Sequence, residues 1–219
     1  REKLQLSDVV RLFDIGSEST FLSMGIRKIQ GGYALEGKTS LIDDVLVELG
    51  LQDAKTSTIP QTKTDAKQAD DEEQLAVDEH YTYRRCVGKM LQLATHRADI
   101  QYCVGVLSQA MSAPTRRDQR RMKKLARFLA GTNDVELLLR PCGQGKHPVV
   151  QVKVDANWAD AATESRKSID SVHEFLGGHL TEASNCTQQV IAISSGESEL
   201  YGLVRGAASL MQMSEFLTK

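Results

Sequence analysis

The amino-acid sequence predicts an α+β fold, and three patterns carry that reading. Val150, Val152 and Val154 alternate with Gln151, Lys153 and Asp155, the two-residue period of a strand. Over much of the stretch from residue 39 to residue 130, apolar residues recur instead every three or four positions, the spacing of helices. The glycine pairs Gly31–Gly32 and Gly177–Gly178 each divide two apolar stretches, as hairpin turns do.

Residues 1 to 20 (Leu4, Leu6, Val9, Val10, Leu12, Phe13) have mixed apolar spacing that fits one short helix or strand without choosing between them. Phe21 to Ile29 reads as a strand, and Gln30-Gly31-Gly32 as a turn into a second strand through Leu35. Thr39 or Ser40 can cap a helix that places Leu41, Ile42, Val45, Leu46 and Leu49 on one side and stops at Gly50. Residues 61 to 79 carry Asp65, Asp70, Asp71, Glu72, Glu73, Asp78 and Glu79 with no apolar period, the composition of an exposed, solvated linker. Tyr83, Val87, Met90, Leu91 and Ala94 line one face of a helix. Thr95–Asp99 interrupts it, and helical spacing resumes from Ile100 to Met111. Past the break at Pro114, Thr115 can cap a further helix to Ala130, stopped by Gly131. Arg140–Lys146 is a turn-rich joint. The Val150–Asp155 strand follows, then strands over Ser171–Leu176 and His179–Ser184, and a helix capped by Ser194 or Ser195 that carries Glu199.

The chain's 219 residues suffice for one large domain or two small ones, and 41% hydrophobic with 26% charged residues is an ordinary globular composition. A net charge of −2 gives no global attraction for nucleic acid, so any polyanion site must be a local patch. No apolar run is long enough to cross a membrane, and no N-terminal signal pattern appears. Cys86, Cys103, Cys142 and Cys186 lie far apart with no C-x-x-C pair, which argues against zinc and fits reduced thiols inside a cell. None of the five histidines has ligand spacing. The chain begins at Arg1 and stops within an apparent helix at Lys219, and so reads as a piece of something longer.

Two features carry chemistry. Arg116, Arg117, Arg120, Arg121, Lys123, Lys124 and Arg127 crowd one helix against a single acid, Asp118, beside the apolar side Met122, Leu125, Ala126, Phe128 and Leu129. That is the footprint of a phosphate-backbone contact, and equally the charge density of a solvated surface helix. Second, Asp155 at a strand end and Glu199 in the first turns of a helix could share one divalent cation, since Mg²⁺ takes few carboxylates and keeps several waters. Glu197 lies roughly 200° round the helix from Glu199 and cannot join it. Asp160 and Glu164 read as surface acids, and Trp158 as a packing residue.

Asp155-Ala-Asn-Trp-Ala-Asp160, Arg166-Lys167-Ser168, Phe175-Leu176-Gly177-Gly178 and Ile193-Ser-Ser-Gly-Glu-Ser-Glu-Leu-Tyr201, in that order and spacing, resemble the ribonuclease H region of copia-type (Pseudoviridae-like) retrotransposon Pol polyproteins. Leu49-Gly50-Leu51 followed by Ser57-Thr58-Ile59-Pro60 resembles the reverse transcriptase just after its polymerase active site. Tyr83-Arg84, Leu93-Ala94, Arg97-Ala98-Asp99-Ile100, Ser112-Ala113-Pro114-Thr115 and Gly131-Thr132 resemble the block that connects the two. Ala98 stands where the family usually has proline, and Asn157 where it often has a second aspartate.

The resemblance, over roughly residues 20 to 219, implies the end of a reverse transcriptase palm and thumb with a helical connection. A partial ribonuclease H-like fold of three antiparallel strands and a helix is implied to follow. The corresponding division is 1–60 for the reverse transcriptase end, 61–80 for an acidic linker, 81–140 for the helical thumb or connection, and 147–219 for the ribonuclease H part. The implied ancestral activities are RNA-directed DNA synthesis and Mg²⁺-dependent hydrolysis of the RNA strand of RNA/DNA hybrids. The first two of the family's four carboxylates map onto Asp155 and Glu199, the latter followed by Leu200-Tyr201 as in the family. The other two would lie beyond Lys219 and the polymerase aspartates before Phe21, so the chain is expected to be inactive alone. The resemblance also tips the 116–127 helix toward nucleic acid. The implied partners are an RNA/DNA hybrid or template–primer and the remainder of the Pol polyprotein, with no membrane. The implied location is the cytoplasm, in a virus-like particle, or the nucleus. Two other readings stand beside this one: a non-catalytic remnant that binds nucleic acid through the 116–127 helix, and a decayed product with strand edges and one face of the Glu199 helix uncovered.

Overall fold

The computed structural model describes residues 20–21, 24–61, 68–140, 149–159 and 166–218. The expectations for residues 1–19, for Asp65, Cys142, His147, Asp160 and Glu164, and for most of the 140–146 joint lie outside the described residues. Helices and antiparallel sheets occupy separate parts of the chain, the expected α+β class.

The first sheet has the order β1 (Thr20–Phe21), β2 (Met24–Ile29), β3 (Gly32–Glu36), β4 (Glu136–Leu139), all antiparallel. Strand β4 is absent from the sequence reading. Its Glu-Leu-Leu-Leu run has neither alternation nor length, and only the pairing Tyr33↔Leu139 to Glu36↔Glu136 makes it a strand. Arg27 ties three strands, with Nε 2.6 Å from Glu36 and Nη2 2.7 Å from Glu136.

Helices α1 (Thr39–Leu49), α2 (Val77–Ala94), α3 (Ala98–Gln109) and α4 (Arg116–Ala130) enclose one apolar core. It joins Ile42 and Val45 to Val87 and Met90, to Ile100 and Leu107, and to Met122, Leu125 and Leu129. Tyr83 is fully buried, its hydroxyl donating to the Leu107 carbonyl at 2.8 Å. The expected stop at Gly50 is present, at φ +63°. Thr115 caps α4 as expected: Asp118 accepts from the Thr115 N–H and hydroxyl at 3.0 and 2.9 Å.

The acidic segment before α2 corrects the solvated-linker expectation over its described part. Leu75 belongs to the core and donates its N–H to the Pro114 carbonyl at 3.0 Å, and Asp71 is only 7% exposed. The segment is held against the start of α4.

The second sheet is the meander β5 (Val150–Asn157), β6 (Ile169–Leu176), β7 (His179–Thr187). Its hairpin turns on Gly177 and Gly178 at φ +58° and +87°, the left-handed backbone that L side chains resist. Helix α5 (Ser195–Thr218) lies across β5 and β6. Gly202 and Gly206 allow that approach: a Cβ on Gly202 would come 3.0 Å from Val154 Cγ1, and one on Gly206 would run into Val154 Cγ2. The opposite side of α5 leaves Leu203, Val204 and Met211 in solvent, so the helix does have an uncovered face. The other side of the sheet meets α3, where Gln101 Nε2 donates to the Ala183 carbonyl at 2.7 Å and Asn185 Nδ2 to Gln101 Oε1 at 3.4 Å.

Candidate nucleic-acid interface and carboxylate pair

Strand alternation decides where Asp155 points. Val152, Val154 and Ala156 lie under α5. The residues between them, Lys153 and Asp155, therefore project from the other face. Across the sheet Asp155 pairs with Ser171, and Ser171 with Asn185, the residue bonded to Gln101 of α3. Glu199 lies seven residues before Gly206, at nearly the same angle round α5, so it belongs to the sheet-facing stripe. Asp155 and Glu199 are thus on opposite faces of β5, and as placed they do not fit one Mg²⁺. No group of three metal-ligating side chains occurs among the described residues.

Glu197 has a local duty. It accepts the Ile193 N–H at 2.7 Å and the Tyr201 hydroxyl at 3.0 Å, while Ser194 Oγ accepts the Glu197 N–H at 3.1 Å. Two carboxylates of β6 share the α5 face: Glu174, which accepts from the Ser209 hydroxyl of α5, and Asp170, which the sequence reading passed over. Asp170 is 5% exposed and accepts from Gln188 Nε2 at 2.6 Å, and the same amide reaches the Ser198 carbonyl at 2.8 Å. Its signal was its register: Asp170 precedes the buried Val172 by two positions in the same strand. Trp158 corrects the packing expectation. It is 46% exposed past the end of β5, with its indole N–H donating to the Ala192 carbonyl at 3.0 Å.

The basic helix α4 is more constrained than its composition suggests. Arg116 pairs with Glu79 at 2.6 Å and Glu73 at 3.6 Å. Arg117 lies 3.7 Å from Asp71 and 3.8 Å from Glu72. Arg120 pairs with Asp70 at 3.0 Å and also with Asp71. Arg121 is 3.6 Å from Asp118 on its own helix. Lys123 and Arg127 form no ion pair among the described residues, and Arg127 Nε is buried without a hydrogen-bond partner. Gln68, Asp71, Arg117, Arg120, Lys123, Lys124 and Arg127 together line an open cavity of about 260 Å³. The Gln68 backbone N–H, 3.0 Å from Asp71 Oδ2, and the Arg120 guanidinium hold the Asp71 carboxyl below its usual range.

No family model and no solved structure matches the chain. It is 28% identical over 212 residues to the "Uncharacterized mitochondrial protein AtMg00810" of Arabidopsis thaliana, covering 94% of this chain and 82% of that protein. It is 31% identical over 137 residues to the "Retrovirus-related Pol polyprotein from transposon RE2" of the same plant, covering 63% of this chain. To the corresponding polyprotein from transposon RE1 it is 26% identical over 199 residues, covering 91% of this chain. The chain spans 9% and 13% of the lengths of those two polyproteins. The "Secreted RxLR effector protein 161" of Plasmopara viticola is 31% identical over 122 residues, covering 55% of this chain and 83% of that protein.

Proposed function

We propose that the chain, which is similar to retrovirus-related Pol polyproteins of two transposons, is a copia-type stretch running from the end of the reverse transcriptase into the ribonuclease H region. In this reading it holds nucleic acid and does not cut it unaided. The observation that carries the reading is the cavity on α4, where five cationic side chains converge against one carboxylate. Such a cluster suits the phosphates of a template–primer or RNA/DNA hybrid, and contacts of this kind position a duplex without reading its sequence. Mg²⁺-dependent hydrolysis is assigned to the longer Pol polyprotein, because Asp155 and Glu199 lie on opposite faces of β5. The cytoplasmic particle or the nucleus is the setting this role requires.

The test is incubation of the chain with a labelled RNA/DNA hybrid and Mg²⁺, beside Asp155→Asn and Glu199→Gln, with binding measured across a salt series. The expected result is intact hybrid and salt-sensitive binding, each phosphate contact adding about −0.9 to the slope of log K on log salt. Cleavage abolished in both variants would overturn the non-catalytic reading. Absence of binding at low salt would overturn the interface.

A further inference from the structure

We propose that the acidic segment Asp70–Glu73 is an internal competitor for α4, occupying its arginines in place of phosphates and yielding when nucleic acid binds. This rests on the reading of α4 as a nucleic-acid interface and specifies how that interface is regulated. Four consecutive acids face three arginines on the first turns of the helix: Glu73 meets Arg116, Asp71 and Glu72 meet Arg117, and Asp70 and Asp71 meet Arg120. The segment is also docked through its backbone, with the Arg116 N–H donating to the Glu73 carbonyl at 2.8 Å. Competition is built into the cavity itself, because Asp71, Arg117 and Arg120 share its wall with Lys123, Lys124 and Arg127.

Exposure separates the anchor from the parts that can let go. The Asp71 side chain is 10% exposed, whereas those of Asp70, Glu73 and Glu72 are 45%, 60% and 86% exposed. Ion pairs open to water are weak one by one and screened by salt, so a dense polyanion can replace them. Asp71 keeps the segment in place while the other three carboxylates swing away. A phosphate therefore enters at Lys123 and Arg127, after which Arg117 and Arg120, left sharing the one charge of Asp71, turn toward the strand.

The experiment measures RNA/DNA hybrid binding by the full chain and by the triple variant Asp70→Asn/Glu72→Gln/Glu73→Gln, which retains Asp71. A second triple variant, Asp43→Asn/Asp53→Asn/Glu182→Gln, makes the same change in net charge at acids outside the segment. The segment variant is expected to bind about tenfold tighter than this control. Its salt slope should be steeper by about 1, since Arg117 and Arg120 then share the single charge of Asp71 while Arg116 keeps Glu79. Arg120→Ala should cost little affinity in the natural sequence and several-fold more in the segment variant. Equal affinity of the two triple variants, with salt-sensitive binding by the natural sequence, would overturn the competitor while leaving the interface standing. No binding by any of these proteins would overturn the interface and the competitor together.

Discussion

Replacing Gly206 by alanine tests the seat of α5, on which the placement of Asp155 and Glu199 depends. In a free helix this change is favourable by about 1 kcal/mol. Here the new methyl would run into Val154 Cγ2, whereas carbon atoms pack best at about 3.5–4.0 Å. Val154 is β-branched and has little rotamer freedom to yield, so α5 must lift or the strand must shift. Overpacking of this kind costs about 1–3 kcal/mol. Against the propensity gain, the net expectation is a loss of up to about 2 kcal/mol. Gly88 is the control: it is an exposed position inside α2 with nothing within 4 Å of an added methyl, so Gly88→Ala should gain up to about 1 kcal/mol. Urea unfolding with unchanged m-values reads both effects as shifts in midpoint. Combining Gly206→Ala with Val154→Ala should recover part of the loss, as a positive coupling between neighbours. If Gly206→Ala stabilises the chain as Gly88→Ala does, α5 does not rest on Val154, and the assignment of the two carboxylates to opposite faces falls with it.

The Asp71 carboxyl is held below its ordinary range by the Gln68 N–H and by Arg120. Its stabilising contribution is therefore present above the unfolded value near 3.9, is lost as pH falls through the folded value, and should be missing from the acid limb of urea midpoints in Asp71→Asn. Burial pushes the Cys86 and Cys103 thiols up to about 12 and about 11, while Cys186 is exposed. With Cys142 replaced by serine, a thiol reagent at neutral pH should find one reactive cysteine in the folded chain and three in urea. Arg97, whose side chain is 5% exposed, donates to Asp99 and to both the carbonyl and hydroxyl of Thr132. Arg97→Met should cost about 2–3 kcal/mol, below the ~3–5 kcal/mol of a fully buried pair because Asp99 can rehydrate, and an unchanged urea midpoint would count against the contact. Leu203→Gln with Val204→Gln should reduce aggregation, measured by light scattering, without lowering the urea midpoint, since both side chains are already in solvent.

Periodicity and turn chemistry act within a few residues, which is why the chain alone sufficed for the meander β5 to β7, the Gly177–Gly178 turn and α1 to α5, except the first turn of α2, which begins at Val77 inside the expected linker. The same locality set Glu197 apart from Glu199, and the order of short motifs pointed to Pol-related sequences. Three decisions were made between distant segments and left no local trace. Strand β4 exists because β3 offers it an edge roughly a hundred residues upstream in the chain. The acids at 70 to 73 look solvated until α4 brings Arg120, 49 and 50 residues away from Asp71 and Asp70, against them. The side of β5 that α5 covers follows from the glycine contacts with Val154, and it alone separates Asp155 from Glu199 and brings Asp170 beneath the helix. Short-range patterns determine most of the elements, β4 excepted, since backbone geometry and apolar spacing are properties of neighbours. Which charges meet, and which face of a strand is covered, depends on chain segments that come together only when the core closes.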